Sequence, residues 1–173
     1  MPITKASTED IPVLLKLVNS AYRGEASTKG WTTEAHLLVG ELRTDETSLL
    51  ELFNNQNAVI LKFINNDEEI LGNVYLEKQN DKLYLGMFSV SPGAQSQGIG
   101  KQLLTAADEY AAEQNCSCIY MTVISARHEL IAWYMRHGYE PTGESKPFLV
   151  DERFGVPTQP LELIVLQKIL SNS

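Results

Sequence analysis

The sequence predicts an α/β fold in a single domain over residues 1–173, with a mixed, mostly antiparallel central sheet of about seven strands flanked by helices. Three observations carry this expectation. The first third of the chain repeats its apolar residues at helical spacing. From residue 58 the period changes, and "AVILKFI", "ILGNVYLEK" and "KLYLGMFSV" follow one another across the turn-like clusters "NNDEE" and "QND", as in a three-stranded antiparallel meander. The remainder inserts two helical segments among further strands without a regular βαβ alternation, which argues against a parallel, doubly wound sheet.

Taken in order, "PITKA" reads as a first strand and "STEDIPVLLKLVNSAYR" as a helix. Ser7 suits an N-cap with Asp10 completing a capping box, Pro12 falls in the tolerated first turn, and Ile11, Leu14, Leu15, Val18 and Tyr22 form one apolar face. "RGEASTKGWT" is polar and glycine-containing, hence a loop, in which Trp31 either shapes a substrate site or plugs the core. "TEAHLLVGELR" is expected as a second helix and "DETSLLELFNN" as a third, started by Thr44 or Asp45. After the meander, "GIGKQLLTAADEYAAEQN" is helical, with Ile99, Leu103, Leu104, Ala107, Tyr110 and Ala111 on one stripe. "CIYMTVI" is a fifth strand, and "HELIAWYMRHG" is a short helix with Gly138 placed as its C′ residue. "KPFLV" and "LELIVLQKIL" read as the last two strands, around a connection containing Gly155, Pro157 and Pro160.

Charge and cysteine usage exclude some function classes. A formal charge of -8 disfavours nucleic acid as a partner, because such binding rests on Lys and Arg neutralising phosphates, and it suits a cationic or amine-bearing substrate better. No apolar run reaches the roughly 18–20 residues needed to span a bilayer, and "MPITKASTED" lacks a basic segment followed by an apolar one, so no membrane partner and a cytoplasmic location are expected. Cys116 and Cys118 match no common zinc-ligand spacing and are expected to be reduced, buried and structural, with no metal site.

The stretch "SVSPGAQSQGIGKQLL" nearly spells two phosphate-binding motifs. Gly93 to Gly98 has the glycine spacing of a Walker loop, but Ile99 and Gly100 stand where its lysine and hydroxyl residue belong. Gly98-Ile99-Gly100 opens a dinucleotide fingerprint whose third glycine position is Leu103. What both motifs share survives here: a strand, a glycine turn and a helix N-terminus, whose free N–H groups and dipole suit a phosphate or pyrophosphate. Lys101 in the first turn adds a cation.

Gln95-Ser96-Gln97-Gly98-Ile99-Gly100 resembles the Q/R-x-x-G-x-G/A signature of the GNAT superfamily of N-acetyltransferases. "FSVSP" before it is similar to that family's fourth strand, and "YMTVISARHELIAWYMRHGYEP" to its fifth strand and following helix, with Tyr134 and the Gly138-Tyr139 pair at the expected distance. The resemblance covers nearly the whole chain in element order. It implies that main-chain amides from Ser96 to Lys101 cradle the pyrophosphate of acetyl-coenzyme A, with Gln95 part of the same turn. Backbone groups of Phe88, Ser89 and Val90, on a strand that splays from its neighbour, would then pair with the pantetheine arm and orient the acetyl carbonyl. It further implies direct attack of an amine on the thioester, an N–H donor for the oxyanion, and Tyr134 as the acid that protonates the leaving thiolate.

Arg127 departs from the pattern, standing where many members carry an asparagine that helps hold the cofactor arm; an arginine there would still contact the coenzyme through carbonyls or phosphates. The strand "LYLGMFSV" holds no carboxylate to serve as a base, which leaves Glu77, Glu34, Glu41, Asp151, water-mediated deprotonation or no dedicated base. The expected function is an acyl-coenzyme A-dependent N-acyltransferase acting on a small-molecule or peptide amine, with a homodimer left open. The alternative is a coenzyme-binding regulatory or scaffold module without transferase activity, against which Tyr134 argues, since a binder needs no leaving-group acid.

Overall fold

The computed structural model describes residues 2–22, 38–39, 44–94, 97–148, 156–157 and 161–170. Strand β1 (Ile3–Lys5) leads through a short 3-10 turn into helix α1 (Ile11–Tyr22), and the backbone N–H of Ser7 donates to Asp10 Oδ2 at 2.9 Å as the capping box requires. After strand β2 (Leu38–Val39) and helix α2 (Glu46–Phe53) come the meander strands β3 (Ala58–Ile64), β4 (Ile70–Gln79) and β5 (Lys82–Val90). Helix α3 (Ile99–Glu113), β6 (Cys118–Ile124), helix α4 (His128–Arg136), β7 (Glu140–Pro147), β8 (Val156–Pro157) and β9 (Glu162–Ile169) complete the order.

Seven strands form one open sheet in the order β1-β3-β4-β5-β6-β9-β7, and β2 pairs with β8. Every pairing in the large sheet is antiparallel except β5 with β6, which α3 connects by a crossover. The fold is thus the mixed, mostly antiparallel sheet expected, with four α-helices among the described residues.

Period-two alternation on the strands divides the apolar side chains between two layers. On β4, Tyr75 faces α1 and α2, where it joins Ile11, Leu14, Val18, Ala21, Leu49, Ile60 and Met87. Val74 and Leu76 face the other way, toward Leu103, Leu104, Ala107 and Ala111 of α3 and Leu130 and Tyr134 of α4. Leu103 is fully buried at the middle of that layer. Leu103→Ala is therefore expected to lower stability by about 2–5 kcal/mol, the cost of a cavity that the sheet cannot collapse to fill. Urea denaturation checks this, a lower midpoint at an unchanged m-value being the expected result.

Two expectations are corrected. Leu38–Val39, read as part of a second helix, form an extended pair with Pro157 and Val156, a contact between segments far apart in sequence that overrides the local helical period; the rest of that segment lies outside the described residues. The sixth main-sheet strand runs over Glu140–Pro147 rather than starting at Lys146. Every residue of it is exposed, so it carries no apolar alternation, and Pro141 and Pro147 are tolerated because β7 is an edge strand paired only with β9. Cys116 lies before β6 and Cys118 opens it; both are buried and free, and burial pushes the Cys116 thiol above its ordinary value. Among the described residues no group of three or more His, Cys, Asp or Glu side chains is arranged to hold a metal ion, and no helix is long and apolar enough to cross a membrane.

Candidate active site

The site begins where β5 and β6 part. Their parallel register covers Lys82, Leu83 and Tyr84 opposite Cys118, Ile119 and Tyr120, and β5 continues beyond it to Val90 and β6 to Ile124. A bulge on β5 lies beside this opening. Gly86 stands opposite Tyr75 and Ser89 opposite Asn73, so Met87 and Phe88 together face the single residue Val74. Met87 takes a left-handed φ of 48°, uncommon for a side chain of its size. Its carbonyl oxygen accepts from Asn73 Nδ2 at 3.0 Å and from Ser89 Oγ at 3.3 Å. Both donors are fully buried, and they hold the bulged carbonyl in place of a ladder partner.

β5 then leads through a short turn at Pro92–Ala94 to Gly98, the N-cap of α3. Gly98 has a φ of 76°, which a residue with a Cβ rarely adopts. The first intrahelical bond runs from Gln102 N–H to the Gly98 carbonyl at 3.1 Å, so the amides of Ile99, Gly100 and Lys101 precede the helical ladder. Gly100 has a different reason to be glycine: a Cβ there would lie 3.1 Å from Phe88 Cζ and 3.3 Å from the Trp133 ring. One glycine thus sets the cap conformation, and the other lets α3 pack against the strand and α4. Gln95 and Ser96 lie outside the described residues, while Gln97 and Lys101 are exposed.

These elements border a cleft of about 640 Å³, lined on one side by Val90, Gly98, Ile99, Gly100 and Lys101 and on the other by Leu130, Trp133, Arg136 and His137 of α4. Trp133, Arg136 and His137 were not singled out from sequence, although their i, i+3, i+4 spacing places them on one helix face. Trp133 and His137 stack with ring centroids 4.2 Å apart. His137 Nδ1 lies 2.7 Å from the Trp133 carbonyl oxygen, which can only accept, so Nδ1 carries the proton. Lys101 and Arg136 give the cleft two cations against the single carboxylate of Glu129.

Tyr134 lies behind the cleft, 3% exposed, its ring centroid 6.0 Å from Phe88, 5.3 Å from Trp133 and 5.9 Å from Tyr139. Phe88 joins the bulge to Tyr134, and Val90 joins the end of the same strand to the cleft. Arg127 is set apart. It is buried at the N-cap of α4, where its N–H donates to the Ile124 carbonyl and its own carbonyl accepts from Ile131 N–H, each at 3.0 Å, and it does not line the cleft.

The opposite face of β5 borders a smaller pocket of about 260 Å³ formed by Thr44, Ser48, Glu51 and Leu52 with Tyr75, Tyr84, Gly86 and Met87. Asn19 of α1 fixes its outer wall: Asn19 Oδ1 accepts from Thr44 N–H at 2.9 Å and Asn19 Nδ2 donates to the Thr44 carbonyl at 3.2 Å. Asp45 is the N-cap of α2, accepting from Ser48 N–H at 2.8 Å. Glu77, one candidate base, is fully engaged nearby, its Oε1 accepting from Tyr75 Oη at 2.6 Å and Asn55 Nδ2 at 3.0 Å and its Oε2 from Gln79 Nε2 at 2.7 Å. Burial, then the Glu77 hydrogen bond, push the Tyr75 phenol far above its ordinary value. Glu34, Glu41, Asp151 and Trp31 lie outside the described residues.

Residues 18–139 match the family model described as the acetyltransferase (GNAT) family, a span that contains the bulged strand, the glycine cap and the tyrosine helix. The chain belongs to the GNAT acetyltransferase family. Solved GNAT-type structures share its fold at low identity. A ribosomal-protein-alanine N-acetyltransferase from Brucella melitensis is 21% identical with a TM-score of 0.71, over 98% of this chain and 100% of that one. An acetyltransferase of the GNAT family from Staphylococcus aureus is 17% identical with a TM-score of 0.68, over 98% of each chain. A protein described as a streptothricin acetyltransferase from Bacillus anthracis, in complex with acetyl coenzyme A, is 22% identical with a TM-score of 0.58, over 70% of this chain and 68% of that one. No curated protein matches the chain in sequence. Within this GNAT chain, Phe88 and Trp133, the two rings that Gly100 would strike if it carried a Cβ, both pack against Tyr134.

Proposed function

We propose that this GNAT chain is an N-acetyltransferase that moves an acetyl group from acetyl-coenzyme A to a primary amine by direct attack. One observation carries the reading: a helix N-terminus with three amides ahead of its hydrogen-bond ladder opens onto a cleft that reaches the bulged strand beside Tyr134. The residues fit the coenzyme. Amides of Ile99, Gly100 and Lys101, with the cap at Gly98, present donors to a pyrophosphate, and the open space around the Gly98 Cα leaves the approach free. Lys101 and Arg136 add positive charge, while Trp133 supplies an apolar wall. Gln95, Ser96 and Gln97 belong to the same turn in this reading, and Arg127 acts on the cofactor arm only through the loop that it anchors.

Bound acetyl-coenzyme A supplies the activated thioester. Backbone groups of Phe88, Ser89 and Val90, on the part of β5 beyond its three-residue register with β6, receive the arm and aim the acetyl carbonyl at the opening between the strands. The bulge interrupts the ladder there, and Asn73 and Ser89 fix the Met87 carbonyl, so the strand is held in place before reaction. Tyr134 gives its proton to the departing thiolate from a buried position, and the proton lost by the attacking nitrogen passes to water, from which the Tyr134 phenolate is reprotonated.

The test supplies acetyl-coenzyme A with a panel of amines, polyamines, amino acids and peptides and follows thiol release. Acceleration by at least one primary amine is the expected result. Coenzyme binding with no amine accelerating release would instead make the chain a coenzyme-binding module.

A further inference from the structure

The pocket on the opposite face of β5 has features that the coenzyme does not use. A Cβ on Gly86 would lie 2.9 Å from both Cε2 and Oη of Tyr84, so the Tyr84 phenol is folded over the Gly86 backbone, toward the bulge at Met87. Three tyrosines line this face of the sheet, with Tyr84 centred 6.3 Å from Tyr75 and 5.4 Å from Tyr120. Their hydroxyls differ. Tyr75 donates to Glu77 and Tyr120 to Gln79, whereas Tyr84 Oη has no hydrogen-bond partner among the described residues. Glu51, across the pocket on α2, is exposed and forms no ion pair among the described residues. Leu52, Met87 and the Tyr75 and Tyr84 rings supply its apolar surface, and Thr44 and Ser48 add hydroxyls at the α2 side.

Building on the transferase reading, we propose that this pocket is the acceptor subsite and that it takes a linear aminoalkyl chain carrying a second positive charge. Tyr84 Oη accepts a hydrogen bond from the reacting amine, and Glu51 receives the distal cation. The volume of about 260 Å³ is too small to enclose a drug-sized ligand, which needs about 300–1,000 Å³, but it accommodates an aliphatic chain. Apolar walls suit methylenes, the tyrosine faces suit an ammonium, and a carboxylate at the far end of the chain would be repelled by Glu51. β5 separates this pocket from the cleft, so acceptor and coenzyme meet at the strand opening from opposite faces of the sheet.

The experiment compares 1,5-diaminopentane with 5-aminopentanoate, equal in length and opposite in distal charge, by calorimetric binding to the coenzyme A-bound protein and by rate. The diamine is expected to bind about tenfold more tightly, and Glu51→Gln should remove that preference while leaving coenzyme affinity unchanged. Tyr84→Phe keeps the ring over Gly86 and is expected to raise KM for the diamine about tenfold, again without touching coenzyme affinity. Equal binding of the two amines, or a preference that persists in Glu51→Gln, overturns the proposal, as does an unchanged KM in Tyr84→Phe. If neither compound binds while another amine drives thiol release, the acceptor assignment falls and the transferase reading stands. Absence of thiol release with every amine overturns the transferase reading itself, and the acceptor assignment with it.

Discussion

Tyr134→Phe is expected to lower turnover by about 10²–10⁴-fold, the range for removing a positioned general acid, while coenzyme affinity changes little. The substitution deletes one oxygen and keeps the ring. Contacts with Phe88, Trp133 and Tyr139 at centroid distances of 6.0, 5.3 and 5.9 Å are ring contacts, so the packing behind the cleft is preserved. The residues that line the cleft do not include Tyr134, so losing its oxygen leaves the groups offered to the coenzyme's phosphates in place. Steady-state kinetics with an amine that accelerates thiol release, beside calorimetry with coenzyme A, separates the two quantities. Parallel loss of turnover and affinity would make Tyr134 a packing element.

Gly98→Val is expected to weaken coenzyme binding by two or more orders of magnitude and leave the fold standing. The backbone at Gly98 has φ 76°, and a β-branched residue held there is strained by about 1–3 kcal/mol, although a Cβ would meet no other atom. The strain relaxes by rotation of the cap, and rotation swings the amides of Ile99 and Gly100 away from the cleft. Hydrogen bonds to a charged group contribute about 1.5–3 kcal/mol each, so losing two corresponds to roughly a hundredfold or more in Kd. Gly98 is exposed and distant from the buried α3 face, so circular dichroism and a cooperative thermal transition should persist. Unaltered coenzyme affinity in a folded Gly98→Val protein would refute the cradle. Gly100→Val acts differently, because its side chain would collide with Phe88 and Trp133 and displace α4, lowering stability as well as affinity.

Much of this site was legible before any coordinates. Gly98 announces itself because a glycine between a strand and an alanine-rich helix marks a turn, whereas Tyr134 was singled out through the resemblance to the GNAT family, being otherwise an ordinary tyrosine on an amphipathic helix. The bulge was hidden, since "LYLGMFSV" reads as an unbroken apolar strand whether one or two residues face Val74. Trp133, Arg136 and His137 looked like an ordinary amphipathic helix until α4 was set across from Gly98. Glu77 looked free, and only the fold brings Asn55, Tyr75 and Gln79 to its carboxylate. β7 escaped because exposed edge residues need no apolar alternation.

By itself the sequence determined the helices α1, α2, α3 and α4, the meander, the glycine cap and the tyrosine helix. These follow from periodicity and from conformations that only certain residues adopt, which are properties of neighbours along the chain. Only the tertiary structure decided that β5 and β6 part after Tyr84 and Tyr120, that Asn73 holds the Met87 carbonyl, and that Asn19 anchors Thr44 beside a pocket under Tyr84. Those arrangements depend on which buried polar groups find partners once distant segments close on one another, and no local pattern encodes that choice.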